Sequence, residues 1–158
     1  MAFDLVSTKN AATINGLKML VYGAAGVGKT TLCGTADNDR TIILSAEGGM
    51  LSLAGKDIAM GEIRNMLDLR EAFQFLNSEE GMKFDWICLD SISEMAEVCL
   101  QAEKAKEKNP MKAYLTTQET MQGLVRAFRD MPGRNIVITA KLDRIQDENG
   151  AQLYSPGC

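Results

Sequence analysis

The nine residues Gly23-Ala24-Ala25-Gly26-Val27-Gly28-Lys29-Thr30-Thr31 constrain this chain more than any other stretch. The first eight read G-x-x-x-x-G-K-T, a phosphate-binding loop. The apolar run Leu17 to Tyr22 before them reads as a strand, and Thr31-Leu32-Cys33 opens a short helix that ends between Gly34 and Asp37. Glycines let the backbone curl so that several N–H groups face one point, a nest for an anion. The helix start adds unpaired N–H groups and the positive end of its dipole. Lys29 supplies a full charge to the β- and γ-phosphates, and the Thr30 hydroxyl is a ligand for Mg²⁺. Residue frequencies produce these fixed positions by accident in about one chain of this length in 200. The alternative is a glycine-rich turn with a surface lysine, and the strand–loop–helix setting argues against it.

The rest of the chain alternates strands with helices. Arg40 to Ser45, Phe84 to Asp90 and Asn135 to Ala140 are nearly continuous apolar runs, as expected of strands buried on both faces. A short strand is expected within Ile58 to Ile63. Helices are expected over Leu69 to Asn77, opened by an Asp68–Glu71 capping box, over Ser91 to Lys108, stopped by Asn109-Pro110, and over Tyr114 to Arg129. Residues 1–16 form a lead-in in which Val6-Ser7-Thr8 has edge-strand character and Asn15-Gly16 marks a turn. Gln146 to Tyr154 reads as a hairpin turning at Glu148-Asn149-Gly150. The pattern predicts an α/β chain with a mostly parallel sheet covered by helices on both faces. With 158 residues it has room for one such domain, residues 1–158.

Right-handed crossovers bring the C-terminal ends of parallel strands to one edge, where ligands bind. The loop, Glu47, Asp90 and Lys141 all lie just past strand ends. Asp90, ending Trp86-Ile87-Cys88-Leu89, suits a second Mg²⁺ holder, the Walker B position; its other reading is a helix cap, shared with Ser91. Glu47, followed by Gly48 and Gly49, is placed to orient or deprotonate a water; its other reading is a surface glutamate. Glu94 competes for that role from inside a helix. Lys141 is either a γ-phosphate contact or an exposed charge.

Composition removes several classes. There is no histidine, which excludes His-based triads, His proton shuttles and His zinc sites. No apolar run approaches a membrane span, and the N-terminus lacks the basic-then-apolar pattern of a secretory signal. Cys33, Cys88, Cys99 and Cys158 have no C-x-x-C spacing and read as reduced thiols. The net charge of −4 is unevenly spread: residues 100–144 carry nine basic against five acidic side chains. That basic region is either a polyanion contact or ordinary solvated helix faces.

With these residues in view, the chain resembles the RecA-like P-loop ATPases, and among them the compact phage-type nucleotide-binding proteins that include RecA-like single-strand-annealing ATPases. Val21 to Thr31, Ile42 to Gly49, Phe84 to Ser91 and Ile136 to Lys141 carry the resemblance. It implies Mg²⁺-dependent ATP hydrolysis on single-stranded DNA in phage recombination or replication, in the host-cell cytoplasm, by a protein that assembles with its own copies. By the same resemblance Lys29 and Glu47 are catalytic and Thr30 and Asp90 hold the metal. Gly23, Ala24, Ala25, Gly26, Val27, Gly28, Lys29, Thr30, Thr31 and Lys141 bind the nucleotide, and DNA-contacting loops fall near 104–114 and after 141. The family's sheet continues beyond the equivalent of Ala140, whereas this chain stops at Cys158, so a sheet truncated at its C-terminus is expected. No N-K-x-D base reader is present, which favours ATP over GTP. Two other functions compete. One is a nucleotide-binding module with little turnover. The other is a small P-loop kinase, for which Arg126, Arg129 and Arg134 are the candidate lid arginines.

Overall fold

A computed structural model of the chain describes residues 5, 7–10, 16–48, 50–146 and 152–157. Its centre is a sheet of five parallel strands: β1 (Lys18–Gly23), β2 (Thr41–Ser45), β3 (Ala59–Glu62), β4 (Trp86–Asp90) and β5 (Asn135–Gln146). Their order across the sheet is β1-β5-β4-β2-β3, and a sixth strand, β6 (Gln152–Gly157), pairs antiparallel with β5. The helices are α1 (Lys29–Cys33), α2 (Met66–Leu76), α3 (Ile92–Lys106) and α4 (Pro110–Arg129).

Alternation along the strands builds two cores. Ile42, Leu44, Ile87, Leu89, Ile136 and Ile138 face one side and pack with Leu69, Leu76, Met95 and Phe128 from α2, α3 and α4. Ile43, Cys88 and Val137 face the other side and pack under Cys33 of α1 and Leu53. Each fully buried large aliphatic or aromatic side chain contributes about 1.5–3 kcal/mol relative to exposure. Phe73 of α2 meets Phe128 of α4 edge-on at 5.2 Å between ring centres, a geometry that aromatic quadrupoles favour. Cys33, Cys88 and Cys99 are buried free thiols, and Cys158 lies outside the described residues. Contact with Cys33, and then burial, pushes the Cys88 thiol up. None of the described helices is long and apolar enough to cross a membrane.

Several local expectations change. The cap of α2 is Asn65, whose side chain accepts from the N–H of Leu67 (2.8 Å) and Asp68 (3.0 Å). Asp68 sits one turn inside and accepts from Arg64 N–H instead, which holds its carboxyl below the usual range. Helix α4 starts at Pro110 rather than Tyr114: proline fits the first helical position, where its missing N–H costs nothing, and Asn109 caps it. Strand β5 does not stop at Ala140 but runs on to Gln146, because β6 gives its second half a partner from Lys141↔Gly157 to Gln146↔Gln152. The turn expected at Glu148-Asn149-Gly150 lies outside the described residues, as do Val6 and Asn15; residues 8–10 form a helical turn, with Asn10 N–H on the Ser7 hydroxyl, rather than part of an edge strand. Among the described residues β1 pairs only with β5, and its Leu20 and Tyr22 are about half exposed.

One buried cation ties the base of the sheet to α2. Arg134, before β5, donates from its guanidinium to the carbonyls of Leu76 (3.0 Å), Gly81 (3.0 Å) and Phe84. No other side chain has a fork able to reach three carbonyls in this way. Arg134→Ala strands three acceptors, and we expect a loss of about 2–4 kcal/mol in urea unfolding, little of it restored by Arg134→Lys. Unfolding within about 0.5 kcal/mol of the parent would contradict this role.

Candidate nucleotide site

The register of the sheet lines up the chemistry. Gly23 pairs with Lys141, Ser45 pairs with both Asp90 and Glu62, and Leu89 with Ile138, so the loop, Glu47, Asp90 and Lys141 emerge along one edge. Between β1 and α1 the loop turns at Gly26 (φ 78°) and Gly28 (φ 96°), values that L side chains avoid. Gly28 precedes α1 and no side chain caps that helix, so its first N–H groups have no side-chain partner. The Lys29 ammonium folds back over the loop and donates to the carbonyls of Gly23 and Ala24, both at 2.9 Å.

Asp90 is almost fully buried, at 1% exposure, and its two oxygens are both used. Thr30 Oγ1 donates to Oδ2 at 2.7 Å, and Thr139 Oγ1 donates to Oδ1 at 2.5 Å. Strand β5 stands between β1 and β4, so Thr139 occupies the gap that Thr30 reaches across. Sequence reasoning missed Thr139, although a lone hydroxyl in Ile136-Val137-Ile138-Thr139-Ala140 was a visible signal of a buried polar contact. The competing cap for α3 is Ser91, not Asp90: its oxygen accepts from Glu94 N–H at 3.5 Å.

Glu47 lies past β2. Its carbonyl accepts from Ser45 Oγ at 2.6 Å, and its Oε1 accepts from Ser91 Oγ at 2.7 Å. Lys141 Nζ lies 3.9 Å from the same Oε1 and is paired more closely with Glu94. The Glu94 hydrogen bond, more than charge alone, raises the Lys141 ammonium above the ordinary lysine value. Glu94 is thus the counter-ion of Lys141. Lys29, Thr30, Asp90, Glu47 and Lys141 converge, whereas Arg134 is buried at the opposite end of β5 and cannot act as a lid arginine. Arg126, Arg129 and Lys141 line a groove of about 840 Å³ between α3, α4 and the start of the hairpin.

A family model described as an AAA domain matches residues 15–155. The chain belongs to the AAA domain family. This AAA domain is of the P-loop ATPase type, and its fold is similar to that of a KaiC-like protein from the hyperthermophilic archaeon Pyrococcus horikoshii OT3, with 15% identity and a TM-score of 0.52, over 91% of this chain and 81% of that one. It is also similar to an ATPase from the type III secretion system of pathogenic bacteria, with 15% identity and a TM-score of 0.50 over 88% of this chain; it spans 50% of that protein. At such identities the likeness shows the fold alone. No curated protein matches the chain.

The Asp90 cradle is testable without nucleotide. Thr139→Val leaves a buried carboxylate oxygen short of a donor, and we expect a loss of about 1–3 kcal/mol in chemical unfolding. Thr139→Ser should recover most of it. Equal stability of the valine variant and the parent would show that Asp90 does not need this bond.

Proposed function

We propose that this AAA domain binds ATP and hydrolyses it with Mg²⁺, and that it does so on single-stranded DNA in phage recombination or replication, in the host-cell cytoplasm. The observation that carries the ATPase reading is the convergence of Lys29, the Thr30–Asp90 pair and Glu47 at one sheet edge. Thr30 and Asp90 present hard oxygen donors 2.7 Å apart beside the phosphate loop. Mg²⁺ uses one or two such protein oxygens together with substrate phosphates and water. Among the described residues no group of three or more Cys, Asp or Glu forms a metal cage, and none is needed for an ion held in this way. When bound, the ion neutralises charge on the β- and γ-phosphate oxygens.

The chain's own residues divide the remaining work. The loop N–H groups and the Lys29 ammonium receive the phosphates, and Lys29 exchanges its Gly23 and Ala24 carbonyls for phosphate oxygens. Glu47 accepts a proton from the attacking water, whose oxygen forms the new bond to the γ-phosphorus as the bond to the β-side oxygen breaks. Lys141, whose pairing with Gly23 in the sheet supports the assignment, contacts the γ-phosphate in this reading. The DNA partner is supported by the family resemblance, the basic balance of residues 100–144, and the groove bearing Arg126, Arg129 and Lys141. Exposed Tyr114, with the Lys104 ammonium 4.9 Å from its ring centre, adds a surface on which a base could stack.

Steady-state ATP hydrolysis with Mg²⁺, with and without single-stranded DNA, tests this function. We expect DNA-stimulated turnover that Lys29→Ala abolishes. Glu47→Gln should lower kcat by about 10²–10⁴-fold while ATP binding persists. Binding without turnover under either condition would mean a nucleotide-binding module. Phosphate transfer to an acceptor other than water would mean a kinase.

A further inference from the structure

Taking Glu47 as the base, we infer that Ser91 is its positioning residue: the Ser91 hydroxyl holds Glu47 by Oε1 and leaves Oε2 to take the proton of the attacking water. This deepens the ATPase reading and rests on it.

The geometry separates this role from ordinary helix capping. A serine that only caps α3 needs to accept one N–H. Ser91 accepts from Glu94 N–H and also donates, at 2.7 Å, to Glu47 Oε1. A hydroxyl has one donor and two acceptor sites, so both bonds coexist and each favours the other. Ser91 is fully buried, which denies its side chain a solvent-facing alternative.

Glu47 needs such a tether. It sits on a loop and its side chain is 37% exposed. A glutamate there has several open rotamers, and a displacement of about 1 Å at a reacting group costs about 10²-fold in rate. Among the described residues Ser91 is the one side chain within hydrogen-bond distance of the Glu47 carboxylate. Lys141 Nζ is 3.9 Å away and is committed to Glu94, so it does not take Oε2.

The tether is also placed well. Ser91 follows Asp90 directly, and Asp90 is anchored by Thr30 and Thr139. One peptide link therefore fixes the spacing between the acid that would hold the metal and the hydroxyl that holds the base.

The test uses the full chain and four proteins: Ser91→Ala, Ser91→Thr, Glu47→Gln and the Ser91→Ala/Glu47→Gln double variant. We expect Ser91→Ala to lower kcat by about 10–100-fold with KM for ATP within about twofold, and Ser91→Thr to restore kcat. In the Glu47→Gln background Ser91→Ala should cost nothing further, because the group it positions is already disabled. Thermal unfolding reads the capping role separately. A fall in melting temperature for Ser91→Ala with unchanged kcat would overturn the inference while leaving Glu47 as base. The same kcat loss in both backgrounds would overturn it too. Full turnover in Glu47→Gln would instead remove the base itself, and the inference with it.

Discussion

A carboxylate at the end of an apolar strand governs this site. Asp90 is carried into the sheet by Trp86 to Leu89, and removing such a group from water is costly unless its oxygens are partnered. Thr30 and Thr139 supply those partners from two different strand–turn units. The cost of burial thereby becomes a constraint. The phosphate loop, β5 and β4 are held in one arrangement, and any loosening of that edge leaves a buried acid short of donors.

The strand order explains why three elements are needed. β1 and β4 are not neighbours; β5 lies between them, and the Asp90 carboxylate is reached from the loop across it. The same strand delivers Lys141 opposite Gly23 at the end of its parallel pairing with β1, and from Lys141 onward it pairs with β6. The first turn of α3 ties these parts together. Ser91 reaches Glu47, Ser93 accepts from Lys141 N–H and donates to the Gly157 carbonyl, and Glu94 pairs with Lys141. Three polar residues at one helix start, Ser91, Ser93 and Glu94, link Glu47, the hairpin and the cation at the groove.

Much of this was legible in the sequence because it follows from local rules. Buried parallel strands read as unbroken apolar runs, and Gly26 and Gly28 of the loop stand where positive φ is required. The cleft edge followed from strand ends alone. What escaped were contacts between residues far apart in the chain. Thr139 carries no local signal of its partner: Asp90, which accepts from it, lies 49 positions away in the chain. Arg134 reads in the sequence as a candidate lid arginine, whereas its fork is spent on three carbonyls at the base of the sheet. Boundaries failed where two local rules competed: Asn65 and Asp68 are both good caps, and Pro110 both ends one helix and begins the next. β5 outran its apolar run because β6 partnered its second half.

We propose that the Lys29 loop and the Thr30–Asp90 pair together form a Mg²⁺-nucleotide site. Calorimetric titration of ATP into the full chain, with Mg²⁺ and with chelator, tests it most directly. We expect saturable one-to-one binding that weakens at least about tenfold without Mg²⁺, a change of about 1.4 kcal/mol. Absence of saturable binding, or binding indifferent to Mg²⁺, would contradict it.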